Sequence, residues 1–132
     1  AYRIPYCSVN LSAIEYLQSW HENNLIILKK YWLKNEKRFM TFKEIYASGA
    51  GRFLQTKQYE EFGIELIENT PDEILDVSME MHQRLNCTWE TTGEDEVLQK
   101  RFWDMFPKSE LHGEFRARIG AEFLRQNSAL LD

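Results

Sequence analysis

The pattern of apolar and polar positions is clearest between Gly63 and Leu85. A short apolar run at Ile64–Ile67 is long enough for one buried β-strand. Beyond Thr70, apolar or small residues recur at helical spacing and predict one stripe of a helix: Ile74, Val77, Ser78, Met81 and Leu85. A strand that passes through a few residues into a helix is half of a βαβ unit. The pattern therefore favours an α/β protein.

The start of this helix is predicted by its first four residues. The Thr70 hydroxyl can accept a hydrogen bond from the backbone N–H of Glu73, and the Glu73 carboxylate can accept one from the Thr70 N–H. This reciprocal pair is a capping box. Pro71 takes the first helical position, where its missing N–H is not needed. Asp72 is favoured near the positive end of the helix dipole.

Two further capping boxes begin at Ser12 and Thr41, each with a glutamate three residues later. Apolar runs precede both of them, at Ile4–Val9 and Leu25–Leu28, and each run predicts a strand. The three caps are equally spaced along the chain, at Ser12, Thr41 and Thr70. Three strand–helix steps predict a small parallel sheet of about three strands with flanking helices and right-handed crossovers.

The segments between these strand–helix units are predicted from helix-ending residues and from charge. The helix that begins after Thr41 should end at Gly49, a residue type common just beyond a helix C-terminus. The residues from Gly49 to Arg52 then form a loop, and Tyr59–Phe62 forms a helical turn. A basic segment with two aromatic residues follows the second strand, from Lys29 to Arg38.

The C-terminal third is predicted to be all-helical. Thr92 and Asp95 resemble another capping box, and Pro107 should end the helix that they begin. Apolar residues at helical spacing support this helix: Leu98, Phe102, Met105 and Phe106. A last helix is predicted from the stripe Phe115, Ile119 and Phe123. The apolar end of the chain, Leu130 and Leu131, is expected to dock on the core.

Length, composition and charge exclude several classes of protein. A single α/β domain is expected from 132 residues, and a net charge of −5 argues against nucleic-acid binding. No apolar run approaches the roughly 18 residues of a membrane-spanning helix, and no signal peptide opens the chain. Cys7 and Cys87 are too few for a disulfide framework, so we expect free thiols and a cytoplasmic location.

No catalytic signature is present in the sequence. GxSxG, HExxH, P-loop and GxGxxG patterns are absent, and no Cys/His spacing suggests a metal, so neither catalytic residues nor a cofactor are predicted. The chain begins at Ala1 without a methionine and almost immediately enters a strand-like segment. We therefore expect it to be the C-terminal fragment of a larger protein. A truncated sheet with an open edge, together with many aromatic residues, predicts a possible homodimer.

Several segments resemble a known family. Asn69–Ile74 and Arg118–Asn127 are similar to the C-terminal end of a family of bacterial glycosyltransferases found with surface-polysaccharide genes. Arg3–Asn10, Leu25–Lys30 and Thr41–Gly49 also resemble that family, so the similarity covers nearly all of the chain. The family looks like two-domain GT-B transferases, whose Rossmann-like C-terminal domain holds the nucleotide-sugar donor. Its Gly-rich donor loop and N-terminal domain have no counterpart here, so the chain is expected to be inactive alone.

Four residues are candidates for contact with a donor: Asn10, Ser12, Lys29 and Glu68. Asn10, Lys29 and Glu68 lie at the carboxyl ends of predicted strands, where open α/β sheets bind ligands, and the helix start at Ser12 should face the same side. The Ser12 helix start is a better phosphate site than the Thr70 start, where Asp72 and Glu73 already supply negative charge. The resemblance implies that Glu68 could hold ribose hydroxyls.

Each of these assignments has a plainer alternative. Lys29 can be a solvated lysine, and Glu68 can simply end its strand. For the whole chain, the alternative function is a non-catalytic α/β interaction module, which would bind a protein partner through an open sheet edge and an aromatic surface.

Overall fold

The computed structural model describes residues 7–12, 24–106 and 118–132. The strands in these ranges are β1 (Cys7–Leu11), β2 (Leu25–Leu28), β3 (Lys30–Leu33), β4 (Arg38–Phe39), β5 (Ile64–Ile67) and β6 (Arg118–Ile119). The helices are α1 (Phe42–Ser48), α2 (Thr56–Phe62), α3 (Pro71–Leu85), α4 (Gly93–Met105) and α5 (Ala121–Gln126). Short 3₁₀ turns follow α1 and α5, at Ala50–Arg52 and Ser128–Leu131.

A small parallel sheet lies at the centre of the fold, in the order β1-β2-β6. Cys7 pairs with Leu25 on one side of β2, and Ile26 pairs with Ile119 on the other. The central strand β2 is fully buried, as expected for a strand covered on both faces. The α/β class and the three-stranded parallel sheet with flanking helices are confirmed. The third strand, however, is β6 and not the predicted strand at Ile64–Ile67.

The strand at Ile64–Ile67 belongs to a second, antiparallel sheet in the order β4-β3-β5. Its partner β3 was not predicted, because Lys30, Trp32 and the basic residues around them hid a strand pattern. Tyr31 is buried on one face of this sheet and pairs with Leu66. Since only Lys29 separates β2 from β3, the chain passes directly from the parallel sheet into the antiparallel one.

The local signals for helix termini are confirmed wherever the structure describes them. Capping boxes with both hydrogen bonds begin α1, α3 and α4, at Thr41, Thr70 and Thr92. Gly49 ends α1 in the left-handed conformation, with φ of 82°. The Ser12 capping box and the helix predicted beyond it lie outside the described residues.

The buried stripe of α3 differs from the predicted one. Its buried residues are Glu73, Val77, Glu80 and Met81, whereas Leu85 is 60% exposed. Glu80 is tolerated inside because its Oε1 accepts the Ala121 N–H at 2.7 Å and its Oε2 accepts from Arg84 Nε at 2.7 Å. A fully hydrogen-bonded carboxylate can take a place that periodicity assigns to an apolar residue.

The C-terminal third is helical except for β6. The predicted helix with the stripe Phe115, Ile119 and Phe123 is wrong, because Ile119 is a strand residue and α5 begins at Ala121; Phe115 lies outside the described residues. The Gln99 side chain bonds both the N–H and the C=O of Ile119, which satisfies the outer edge of β6. Leu130 and Leu131 are buried, so their predicted docking is confirmed.

No helix within residues 7–12, 24–106 and 118–132 combines the length and the apolar character that crossing a membrane requires.

Candidate ligand-binding groove

The carboxyl ends of β1 and β2 are joined to the start of α3 by two asparagines. The backbone N–H of Asn10 donates to Asn69 Oδ1, and the Asn69 N–H donates to Asn10 Oδ1, both at 2.6 Å. Asn69 Nδ2 also donates to the Leu28 carbonyl at 2.8 Å. Asn10 has φ of 56°, a left-handed conformation that asparagine tolerates better than most residues. The Asn10 side chain is thus engaged in shaping this end of the sheet.

An open groove of about 440 Å³ lies beside these strand ends. It runs between the chain just beyond β1 and β2 and the outer side of α2 and β5. Its lining consists of Ser12, Lys29, Lys34, Leu54, Thr56, Tyr59, Glu60, Ile64, Glu65 and Leu66. Two of the four predicted site residues, Ser12 and Lys29, are therefore brought together. Asn10 and Glu68 are not part of the lining, and Glu68 is exposed.

Lys29 is fixed by its backbone at the junction of the two sheets. Its N–H donates to the Leu11 carbonyl at 2.8 Å, which extends the pairing of β1 with β2 by one step. Ser12 directly follows Leu11, so Ser12 and Lys29 each lie just beyond the end of one of two adjacent strands. Lys29 is half-buried as a residue, and its ammonium group has no ion-pair partner within the described part of the chain.

The opposite wall of the groove is rigid. The Tyr59 hydroxyl donates to the Phe53 carbonyl at 2.7 Å, and the Tyr59 ring contacts Tyr31 and Phe53 edge to face. Gly63 then turns the chain from α2 into β5 in the left-handed conformation, with φ of 76°. The helical turn and the strand of this wall were predicted, but their partner β3 was not, although Tyr31 and Trp32 are residue types enriched in strands.

The N-terminus of α3 is already occupied by its own carboxylate. Glu73 Oε1 accepts the Thr70 N–H at 2.9 Å, and Glu73 Oε2 lies 3.7 Å from Lys30 Nζ. Both side chains of this ion pair are largely buried. The Glu73 carboxylate thus occupies this helix end and is itself paired with Lys30.

A second charged cluster, at the junction of α4, β6 and α5, is internally paired. Arg125 bonds both carboxylate oxygens of the buried Asp95 and holds the pKa of that carboxyl below its ordinary value, as do hydrogen bonds from Thr92. Arg118 bonds Glu96 and lowers its pKa in the same way. Because these charges neutralise one another, the cluster anchors β6 and α5 and offers no free charge to a ligand.

In the ranges that the structure describes, no three His, Cys, Asp or Glu side chains are grouped closely enough to hold a metal ion. Comparison of the chain with protein-family models, curated proteins and solved structures finds no match.

Proposed function

We propose that the chain binds a nucleotide-sugar donor in this groove, as the donor-binding part of a glycosyltransferase. The observation that supports the proposal is that Ser12 and Lys29, each just beyond the carboxyl end of a parallel strand, line the same groove. Ligands of open α/β sheets bind at this position. A volume of about 440 Å³ also lies within the range of small-molecule sites.

The chemistry of the rim suits a diphosphate. The Lys29 ammonium is a compact positive charge without a partner among the described residues, and the Ser12 hydroxyl can donate to a phosphate oxygen. In glycosyl transfer, the bond between the sugar carbon and the diphosphate oxygen breaks, with the electron pair leaving on the diphosphate, while the acceptor oxygen bonds to that carbon and its proton passes to water. Lys29 would stabilise the negative charge that grows on the leaving diphosphate.

The remaining features fit a cytoplasmic transferase that uses activated sugars. Cys7 and Cys87 are both free thiols, which is typical of a reducing compartment. The proposal assigns no catalytic base, because none of the groove residues is placed by a hydrogen bond for that task.

Titration of the chain with UDP, ADP and GDP, followed by amide NMR shifts, tests this proposal. We expect shifts at Asn10–Ser12 and Lys29 before shifts at Thr70–Glu73. Replacing Lys29 by Ala should weaken binding about tenfold, the loss of one charge-assisted contact. Lys43→Ala, an exposed lysine on α1 outside the groove, should bind as the unaltered chain does. Absence of binding at millimolar nucleotide, or equal losses in both variants, would contradict the proposal.

A second candidate function is association with another copy through α3. Leu75 and Met79 lie one helical turn apart and are 58% and 48% exposed. Two large apolar side chains on one exposed helix face are typical of an interaction surface. This observation favours the interaction-module alternative, and it does not conflict with ligand binding in the groove on another part of the fold.

A further inference from the structure

The two ends of the groove carry opposite charge. Lys29 and Ser12 form the end next to the parallel sheet. At the other end, the Lys34 N–H donates to the Gly63 carbonyl at 3.0 Å, and Gly63 lies between Glu60 and Glu65 in the chain. Glu65 pairs with Trp32, midway between Lys29 and Lys34. Lys34, Glu60 and Glu65 together give the groove beyond Lys29 a net charge of −1, while the Lys29 end has a net charge of +1.

None of these four charged side chains is neutralised by a neighbour. Within residues 7–12, 24–106 and 118–132, Lys29, Lys34, Glu60 and Glu65 take part in no side-chain hydrogen bond or ion pair. Lys34, Glu60 and Glu65 are exposed, so their fields act on a ligand through partly screened solvent. A ligand in the groove therefore experiences a positive charge at one end and a net negative charge toward the other.

The two ends are also separated by the length of one strand. β3 runs from beside Lys29 to beside Lys34, and an extended chain rises by about 3.3 Å per residue, so the two lysine backbones are roughly 16 Å apart. A diphosphate bound at Lys29 cannot reach Lys34 at this separation. Glu65 lies closer, because its partner Trp32 is three residues, or about 10 Å, from Lys29. The group that follows the diphosphate in a ligand bound at Lys29 would therefore lie toward Glu65.

We infer that the groove accepts donors whose glycosyl unit is uncharged or bears an amino group, and disfavours donors whose glycosyl unit bears a carboxylate. This inference rests on the proposed function and adds the substrate class to it. The diphosphate lies at Ser12 and Lys29, and the glycosyl unit extends along β5 toward Glu60 and Glu65. Sugar hydroxyls can donate to those carboxylates, whereas a glycuronosyl carboxylate is repelled by the net negative charge that remains after Lys34 offsets one of the two glutamates.

Calorimetric titration of the 132-residue chain with UDP, UDP-glucose and UDP-glucuronate tests the inference. We expect UDP-glucuronate to bind roughly fivefold more weakly than UDP-glucose at low salt, because its carboxylate meets two partly screened glutamates. The ratio of the two dissociation constants should fall toward one in high salt. The double variant Glu60→Gln/Glu65→Gln should also bring the ratio close to one while its UDP affinity changes little.

Glu61→Gln is the matched control for charge. Glu61 lies on α2 next to Glu60, is exposed, pairs with Lys57 and is outside the lining. Glu61→Gln should leave the ratio of the dissociation constants for UDP-glucuronate and UDP-glucose unchanged. Equal affinities for the two sugars in the unaltered chain, or a ratio that persists in the double variant, would overturn the inference while UDP binding upheld the proposed function. Absence of UDP binding would overturn both.

Discussion

Replacing Gly120 by Ala should destabilise the fold by crowding the contact between β2 and α3. Gly120 follows β6 and begins α5, and its N–H donates to the Ile26 carbonyl at 3.0 Å. A Cβ atom added there would lie 2.9 Å from Ile27 Cγ2 and 3.2 Å from Val77 Cγ2. The backbone at Gly120 has φ of −51° and ψ of 128°, a conformation that alanine adopts readily. Any loss of stability therefore comes from packing and not from the backbone.

The expected size of the effect follows from how little the neighbours can move. Ile27 and Val77 are both buried and β-branched, so their methyl groups have few alternative rotamers. The hydrogen bond from the Gly120 N–H to the Ile26 carbonyl prevents the backbone from shifting to move the added methyl group away. Overpacking of this kind typically costs about 1–3 kcal/mol. At a urea dependence of about 1.5 kcal/mol per molar, a loss of about 2 kcal/mol lowers the unfolding midpoint by about 1.3 M.

Urea unfolding followed by tryptophan fluorescence measures this change, and Gly93→Ala is its matched control. A Cβ atom at Gly93 meets nothing within 4 Å, and Gly93 is the first residue of α4, so alanine there should be neutral or stabilise by up to about 1 kcal/mol. The cost of Gly120→Ala should also be smaller in a Val77→Ala background, which removes one of the two contacting methyl groups. Equal midpoints for the two glycine variants would refute the packing argument.

Three further predictions concern a helix cap, a buried ion pair and association. Thr70→Ala should destabilise the fold by about 1 kcal/mol through loss of the cap, measured as a lower urea midpoint; an unchanged midpoint would contradict it. Asp95→Asn should cost about 1.5 kcal/mol at pH 7, a modest value because Arg125 is 39% exposed. Since the pKa of Asp95 is lowered in the folded state, its contribution is present above the ordinary carboxyl range and is lost as pH falls through the lowered pKa. Unfolding midpoints from pH 7 to pH 2 should therefore converge for the two proteins, and a constant difference would contradict the assignment. The chain should form a dimer by light scattering, and Leu75→Glu/Met79→Glu should reduce it to a monomer; a monomeric parent chain over a tenfold concentration range would exclude association.

The helix starts could be predicted because their signals are local. A capping box needs only a threonine and an acidic residue three positions later, and its two hydrogen bonds form wherever that helix begins. Thr41, Thr70 and Thr92 all follow this rule. No distant residue is needed to complete these caps, so a reading of four consecutive residues is sufficient.

The pairing of the strands could not be predicted in the same way. Ile64–Ile67 has the composition of a buried strand, but composition does not specify its neighbour or its direction. Its antiparallel pairing depends on β3, which begins with Lys30 and lies between Lys29 and Lys34, so that the segment resembles a solvated one. β6 is only two residues long, and its place depends on β2 and on the Gln99 side chain, about twenty residues earlier in the chain.

The same distinction between local signals and distant pairing applies to the candidate site. Ser12 and Lys29 could be predicted because both follow strands of the parallel sheet, and parallel strands end on the same side of a sheet. Glu60, Glu65 and Tyr59 could not be predicted, because they reach the groove only through the pairing of β5 with β3. Thus the part of the groove proposed to bind a phosphate was predictable from strand ends. The part proposed to bind the sugar depends on the antiparallel pairing of β5 with β3, two strands that are far apart in the chain.

The two parts of the groove differ in how firmly the core of the protein fixes them. Lys29 is held by the Leu11 carbonyl and by the buried strand β2, so the phosphate end is set by the core of the protein. Glu60 and Glu65 are exposed, on α2 and on β5. Exposed positions tolerate substitution with little change in stability. In the proposed site, sugar preference could therefore change at Glu60 and Glu65 while Lys29 and the fold stay as they are.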